Sequence, residues 1–507
     1  MLLNELVVTS QAVAATRSRL AKVDALAALL SRLAPDEVVI AVGLLLGGPR
    51  QGRLGVGWRS AAGIDVAPVA VPALTLLEVD ETFERLAAVS GNGSAATRAD
   101  MLAGLMVRAA ADEQRFLVHV LLGEMRTGAL EGVLIDAIAA ATGVPVAQVR
   151  RAAMLSGSLA ATAALALGPD AAALADVSLR VGVAVRPMLA ASAATVSEAL
   201  EATGGASVEY KLDGARIQVH RDGDEVHVFT RSLADITHRV PEVVDAVRRL
   251  ELQTAIFDGE TLTLDEAGVP RPFQQTMSRF GADAAREALL RPWFFDLLHL
   301  DGRDLLDEPQ SQRRAELLRV APDLTIPGVT TEDPAVAEAF SLEALAQGHE
   351  GVVVKASDAP YTAGRRGSGW VKVKPVHTYD LVVLACEWGS GRRQGWLSNL
   401  HLGAYDPTGE FGDPGGFVMV GKTFKGLTDE LLSWQTERFT QLEVRRTRGT
   451  VWVEPVTVVE IAIDGVQASP RYPGGIALRF ARVKRYRDDK RADEADTIQT
   501  LRSLLRV

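Results

Sequence analysis

Cysteine is almost missing from the chain. Cys386 stands alone among 507 residues, so neither a disulfide framework nor a four-cysteine zinc site can be built. A basic leader is missing as well: Glu5 stands near the start, and these residues do not read as a secretory signal. Long apolar runs are lacking too. The longest uncharged run, Ala152 to Pro169, is alanine-rich and interrupted by Ser, Gly and Thr, too weak for a membrane span. The expectation is a soluble, cytoplasmic protein with no membrane contact. The hydrophobic fraction of 48% and charged fraction of 23% exclude wholesale disorder, and a mass of 54.1 kDa predicts two to four domains.

An excess of positive charge is also absent. The net charge is −10, and the middle third carries most of it: residues 181–376 hold 21 basic and 30 acidic side chains. The distribution matters more than the sum, because Arg479 to Arg491 packs seven basic residues into thirteen. A polyanion can be held by such patches without a basic protein overall.

Lysine is the last scarcity. Only nine of the 54 basic residues are lysine: Lys22, Lys211, Lys355, Lys372, Lys374, Lys422, Lys425, Lys484 and Lys490. An arginine-biased chain can keep a few lysines by chance. Yet they cluster, and a primary amine can lose its proton and attack, or sit as a compact point charge on phosphate. Chemistry is therefore sought at the lysines first.

Three textures divide the chain. Val13–Leu33, Thr97–Ala111 and Val133–Ala141 space their apolar residues as helices do, with Gly47–Val71 a loop or short hairpin among them. A linker is expected near 170–185. Strand-like alternation follows at Val208–Tyr210, Arg216–His220 and Glu225–Arg231, the last two joined by the turn signal Arg221-Asp-Gly-Asp224. Further strands fit Ala255–Phe257, Trp293–Phe295 and Gly351–Val354, with helices at Pro241–Leu250 and Gln312–Val320. After Pro375, short β-rich runs at Leu381–Ala385, Phe417–Val420 and Val456–Ile463 suit a small barrel. The expected architecture is a multidomain α and α+β protein. It has an all-helical part over 1–175, an α+β domain over 183–376 and a β-barrel over 377–507.

The segment Glu209-Tyr-Lys211-Leu-Asp213-Gly214-Ala-Arg216 puts a lysine where one strand yields to the next. With further cations and a metal nearby, its pKa would be pulled down and it would act as a nucleophile. Taken alone it equally reads as an exposed hairpin lysine. Other strand ends add to it: Phe257-Asp258-Gly259-Glu260, Trp293-Phe-Phe295-Asp296, Glu350-Gly-Val-Val-Val-Lys355 and Trp370-Val-Lys372-Val-Lys374-Pro375. Singly, Phe295 reads as core, Glu260 and Glu350 as solvated acids, and Lys372 with Lys374 as the outer face of an edge strand. Converging on one cleft, the set supplies a stacking ring, two carboxylates for a divalent cation and lysines facing phosphate.

These segments, in this order and spacing over residues 100–495, resemble the motifs of the covalent nucleotidyltransferases, most closely the ATP-dependent DNA ligases. The resemblance implies a helical DNA-binding domain, an adenylation domain and an oligonucleotide-binding (OB) barrel. It makes Lys211 the amine that becomes linked to AMP, Glu209 a contact to the adenine edge and Arg216 to the ribose. Arg231 would face phosphate and the nick, Glu260 ribose and metal, Phe295 the adenine face and Glu350 the metal. Lys372 and Lys374 would hold the α-phosphate. Arg479-Phe-Ala-Arg482 and Arg487-Asp-Asp-Lys490 resemble the family's last motif, which orients pyrophosphate. On composition alone they read as a basic solvated strand or tail. Val420-Gly-Lys422 with Gly426-Leu-Thr-Asp429 implies a lysine on the DNA backbone, while Lys425 has no counterpart. Leu122-Gly-Glu-Met-Arg126-Thr-Gly128 carries the match in the helical part, where Arg126, Arg150 and Arg151 are DNA-facing candidates beside the plainer reading of surface arginines.

The resemblance further implies ATP and Mg2+ as cofactors, nicked double-stranded DNA as substrate and a monomer that wraps it. It also implies a pivot near His377–Asp380 that lets the barrel approach and leave. An NAD-dependent ligase shares the Lys-x-Asp-Gly core but carries a four-cysteine zinc module in its usual form, which one cysteine excludes. An RNA capping enzyme or RNA ligase also shares the core, but some 170 helical residues before it argue for DNA. The remaining rival is a non-catalytic nick binder with a decayed pocket.

Overall fold

Three- and four-residue apolar spacing gives way to alternation near residue 190, and the backbone follows that change. The computed structural model describes residues 1–505 apart from 53, 58–65, 92, 124, 126–130, 170, 266–269, 272, 279–289 and 363–365. Arg126, a candidate DNA contact, lies outside the described residues.

The first part is helical, from Leu3–Ala15 through Leu159–Leu167, around one apolar core that includes Leu6, Leu26, Val42, Phe83, Leu134 and Ile138. The single helix expected over Val13–Leu33 is two, Leu3–Ala15 and Arg19–Leu30. The backbone is extended at Thr16 and Ser18, and the Ser18 hydroxyl caps the second helix by accepting from the Ala21 amide at 3.3 Å. Likewise Thr97–Ala111 spans the end of one helix, Ser94–Met106, and the start of the next, Ala111–Leu122. Periodicity continues across both breaks, so only cap chemistry marks them.

Two five-stranded sheets follow. Their strands are β1 (Leu189–Ala193), β2 (Ala206–Lys211), β3 (Ala215–Asp222), β4 (Glu225–Thr230), β5 (Thr254–Thr263), β6 (Leu290–Leu300), β7 (Arg303–Asp304), β8 (Gly328–Thr331), β9 (Gly351–Ala356) and β10 (Arg366–Val373). One sheet has the order β1-β10-β9-β2-β8 and the other β4-β3-β5-β6-β7. The chain therefore crosses between sheets in the short link from Lys211 to Ala215. The expected linker is not free where it is described. Its Gly182 amide donates to His220 Nδ1 at 2.9 Å and its Val185 amide to Gln218 Oε1 at 2.8 Å, which fastens it to β3.

The last part is a curled seven-stranded sheet. It comprises β11 (His377–Trp388), β12 (Leu397–Asp406), β13 (Gly416–Thr423), β14 (Glu443–Arg446), β15 (Thr450–Val453), β16 (Val458–Ile463) and, after the hairpin β17 (Gly465–Ala468) and β18 (Ile476–Arg479), β19 (Arg482–Tyr486). β11 serves three neighbours: its first half pairs with β16, and its second half lies between β15 and β12. Cys386, Leu400, Phe439 and Ile461 fill the core inside the curl, as an OB-type barrel requires. Among the described residues, no helix is long and apolar enough to cross a membrane.

Gly351 opens β9 with φ +141°, and a Cβ there would lie 2.3 Å from the Val373 carbonyl oxygen. Gly351→Ala is expected to destabilise the central sheets by about 1–3 kcal/mol. The loss would read as a lower urea midpoint with faster amide exchange along β9 and β10. Unchanged values would show that the two strands part freely.

Candidate active site

Strand alternation decides which side chains meet. In the first sheet Lys211 opposes Gly351, Glu209 opposes Val353 and Ser207 opposes Lys355, while β10 sets Lys372 against Val353 and Trp370 against Lys355. Glu209, Lys211, Lys355, Trp370 and Lys372 therefore share one face. In the second sheet Arg216 opposes Glu260, with Asp258 two residues away on the same face. Between the two sheets lies a cavity of about 890 Å³ that also takes in Phe295 and, at its rim, Arg231 and Arg239.

Lys211 ends β2 at the seam. Just beyond it, Gly214 presses against β5: a Cβ there would lie 2.5 Å from Leu262 Cδ2 and from the Thr261 carbonyl oxygen. Its amide donates to Glu260 Oε1 at 2.9 Å. Glu350, just before β9, donates its amide to the Lys211 carbonyl at 2.9 Å and pairs its carboxylate with the Lys211 ammonium.

The expected drop in the Lys211 pKa is not what this arrangement produces. Burial pushes the ammonium down, but Glu350, Glu260 and Asp213 outweigh it and hold the amine above the ordinary lysine range. Burial pushes Glu260 up to about 7, with Lys211 and the Gly214 amide pulling the other way. The amine sits among carboxylates, not among cations, and needs positive charge brought to it before it can act as a nucleophile.

Beneath the cavity the buried charges are matched. Glu209 meets Lys355 Nζ at 2.6 Å and Arg314 Nη1 at 2.9 Å. Arg216 grips Asp258 with two bonds, of 3.0 and 2.6 Å, and lies 5.4 Å from the Phe295 ring centre. Arg313 does the same to Asp296 at 2.7 and 3.0 Å. The sequence groups Lys355 with the lysines facing phosphate, yet its Nζ bonds the Phe295 carbonyl oxygen at 2.6 Å and lies 4.4 Å from the Trp370 ring centre. Its membership of so small a set of lysines was the available signal. Asp258 and Tyr361, whose hydroxyl donates to Asp258 at 2.6 Å, were missed.

Several candidates lie elsewhere. Lys372 lines the cavity, but Lys374, past the end of β10, reaches Asp464 of the barrel at 2.6 Å, so the structure does not bring the two lysines together. Of the basic tail, Arg479 alone among the described residues reaches the central sheets, holding Asp213 with bonds of 2.6 and 3.1 Å. Arg487 and Lys490 instead clamp Asp380 on β11, at 2.9 and 2.6 Å, because their segment runs on beside β16 after β19. The segment expected to pivot, His377–Asp380, is the paired start of β11 and carries this clamp. Arg151 binds Asp307 of the central part at 2.7 Å and Arg150 faces Asp136 at 3.4 Å, so both candidate DNA contacts are engaged within the protein. Lys425 lies 5.6 Å from the Phe480 ring centre.

Removing one member of a buried ion pair strands the other. Arg313→Met, which leaves the buried Asp296 without its ion partner, is expected to cost about 3–5 kcal/mol in chemical denaturation. Arg392→Ala breaks an exposed pair with Asp429 and is expected to cost less than about 0.5 kcal/mol. Equal losses would refute the weight placed on burial.

Three family models match the chain: "ATP dependent DNA ligase domain" over residues 187–374, "ATP dependent DNA ligase C terminal region" over 393–490 and "DNA ligase N terminus" over 59–139. A protein of Pseudarthrobacter chlorophenolicus described as "Probable DNA ligase" is 67% identical over 506 residues, covering 100% of both chains. One of Rhodococcus jostii with the same description is 58% identical over 506 residues, again 100% of both. The solved structure Pmar-Lig_PreS3 shares the fold, with a TM-score of 0.63 at 17% identity over 95% of this chain and 99% of its own. With identity of 67% running end to end and a family model on each of its three parts, the chain belongs to the ATP-dependent DNA ligase family.

Proposed function

We propose that the cavity between the two central sheets takes ATP and that Lys211 is the amine that becomes linked to AMP. The observation that carries this reading is the position of Lys211, on the cavity wall at the seam of the sheets, with Glu350 in direct contact. Glu350 is placed to accept the proton that Lys211 must lose. The freed amine then forms a P–N bond to the α-phosphorus while the bond to the bridging oxygen breaks, and pyrophosphate leaves with that electron pair. In-line approach and neutralised phosphate oxygens are what such a transfer needs.

The remaining candidates take roles by position. Phe295 stacks on adenine, Glu209 reads its edge and Arg216, with Glu260 opposite, serves the ribose. Lys372 and Arg231 face phosphate. Lys374 reaches the α-phosphate by exchanging Asp464 for it, and Arg479 faces pyrophosphate. Arg487 and Lys490 support that arginine by holding the start of β11. A 5′-phosphate at a nick in double-stranded DNA then takes the AMP, and the adjoining 3′-hydroxyl displaces it to close the backbone, with Lys422 on the DNA backbone. This reading places a monomer around the nick, in the cytoplasm with its DNA.

Mg2+ fits the donors present. Glu260 and Glu350 are two carboxylates flanking one amine, and no group of three or more potential ligands occurs among the described residues. Magnesium is commonly held by one or two carboxylates together with substrate phosphates, without an all-protein cage. When bound, it would supply the positive charge that polarises phosphate and offsets the carboxylates around Lys211.

Intact-mass analysis after incubation with magnesium and, separately, ATP, GTP or NAD tests the assignment. An AMP adduct from ATP is expected in the wild type and not in Lys211→Ala. A GMP adduct, or none from a folded protein, would refute it.

A further inference from the structure

Directly opposed residues in antiparallel strands share a face, so the register of the barrel sheet can be read as rows that cross it. One row runs from Lys422 on β13 through His401 on β12, Ala385 on β11 and Trp452 on β15 to Arg445 on β14. Beside it lie Asn399, Glu387 and Thr450. Cys386, Leu400 and Val451 alternate with these residues and are buried in the core, so the rows occupy the opposite face. Four inter-strand gaps of about 4.8 Å make the longer row roughly 19 Å along the sheet, near half a turn of duplex DNA.

The two ends of the row are built differently. At the β13 end Glu387 holds Lys422, and it also takes bonds from His401 Nε2 at 2.9 Å and Asn399 Nδ2 at 2.6 Å. At the β14 end the Arg445 guanidinium is exposed and lies 3.8 Å from the Trp452 ring centre. Stacking on a ring fixes the plane of a guanidinium and leaves its edge open to bind phosphate. The turn that follows is ordered: the Thr447 amide donates to the Thr450 carbonyl at 2.8 Å, and the Thr450 amide to the Thr447 hydroxyl at 3.2 Å. It presents Arg448 to solvent. The hairpin's carboxylate, Glu443, is taken by Arg446 at 2.9 and 3.0 Å. Among the described residues, Arg445 and Arg448 form no ion pair.

We propose that the β14–β15 hairpin is a DNA-backbone contact, in which Arg445 carried on Trp452, together with Arg448, receives phosphates of the duplex flanking the nick. This contact rests on the reading of the chain as a nick-sealing enzyme and extends the track that begins at Lys422. A face with organised cations at both edges and a span of several phosphates suits a duplex lying across it.

The test compares Arg445→Ala/Arg448→Ala with the wild type. Both are charged with AMP, the adduct is counted by intact mass, and each is titrated against a fluorescent nicked duplex over a salt series. The expected dissociation constant is about tenfold higher at low salt, with a salt slope shallower by about 0.9 for each phosphate that the variant leaves unneutralised. Arg445→Lys/Arg448→Lys should keep most of the slope, and Arg446→Ala should match the wild type. A double alanine variant with unchanged affinity, or weaker binding at an unchanged slope, overturns the hairpin contact while the functional reading stands. A wild type that neither forms the adduct nor binds nicked DNA overturns the functional reading as well.

Discussion

Three carboxylates buried between the central sheets have to be neutralised before this domain can exist. Glu209, Asp258 and Asp296 are each almost fully buried, and an unpaired charge in such a place costs several kcal/mol. Each is met at short range: Glu209 by Lys355 and Arg314, Asp258 by Arg216, Asp296 by Arg313. The cations come from both sheets and from the helix Gln310–Val320, so the pairs tie three elements together under one cavity.

Lys211 depends on that scaffold. Gly214 lets the chain turn closely onto β5, and Gly351 lets β9 begin where its neighbour's carbonyl leaves no room for a side chain. Together they bring Glu260 and Glu350 to either side of the amine. The resulting excess of negative charge holds the Lys211 ammonium above the ordinary lysine range.

The barrel docks through a few polar contacts. Arg479 with Asp213, and Lys374 with Asp464, bridge it to the central sheets. Ion pairs of this kind are partly exposed and exchange readily for phosphate.

The sequence by itself determined the three textures, the strands around Lys211 and most of the residues that line its cavity. Those depend on local spacing, and alternation alone assigns Glu209, Lys211 and Lys372 to faces. It did not show the helix break at Thr16–Ser18, which rests on a cap within continuous apolar spacing. Nor did it show the partners of Lys374, Arg487 and Lys490, because Asp464 and Asp380 lie 90 to 110 residues away along the chain. Only the tertiary structure decided those pairings. It also decided the direction of the Lys211 pKa, since whether carboxylates or cations surround an amine depends on contacts between strands that no local pattern encodes.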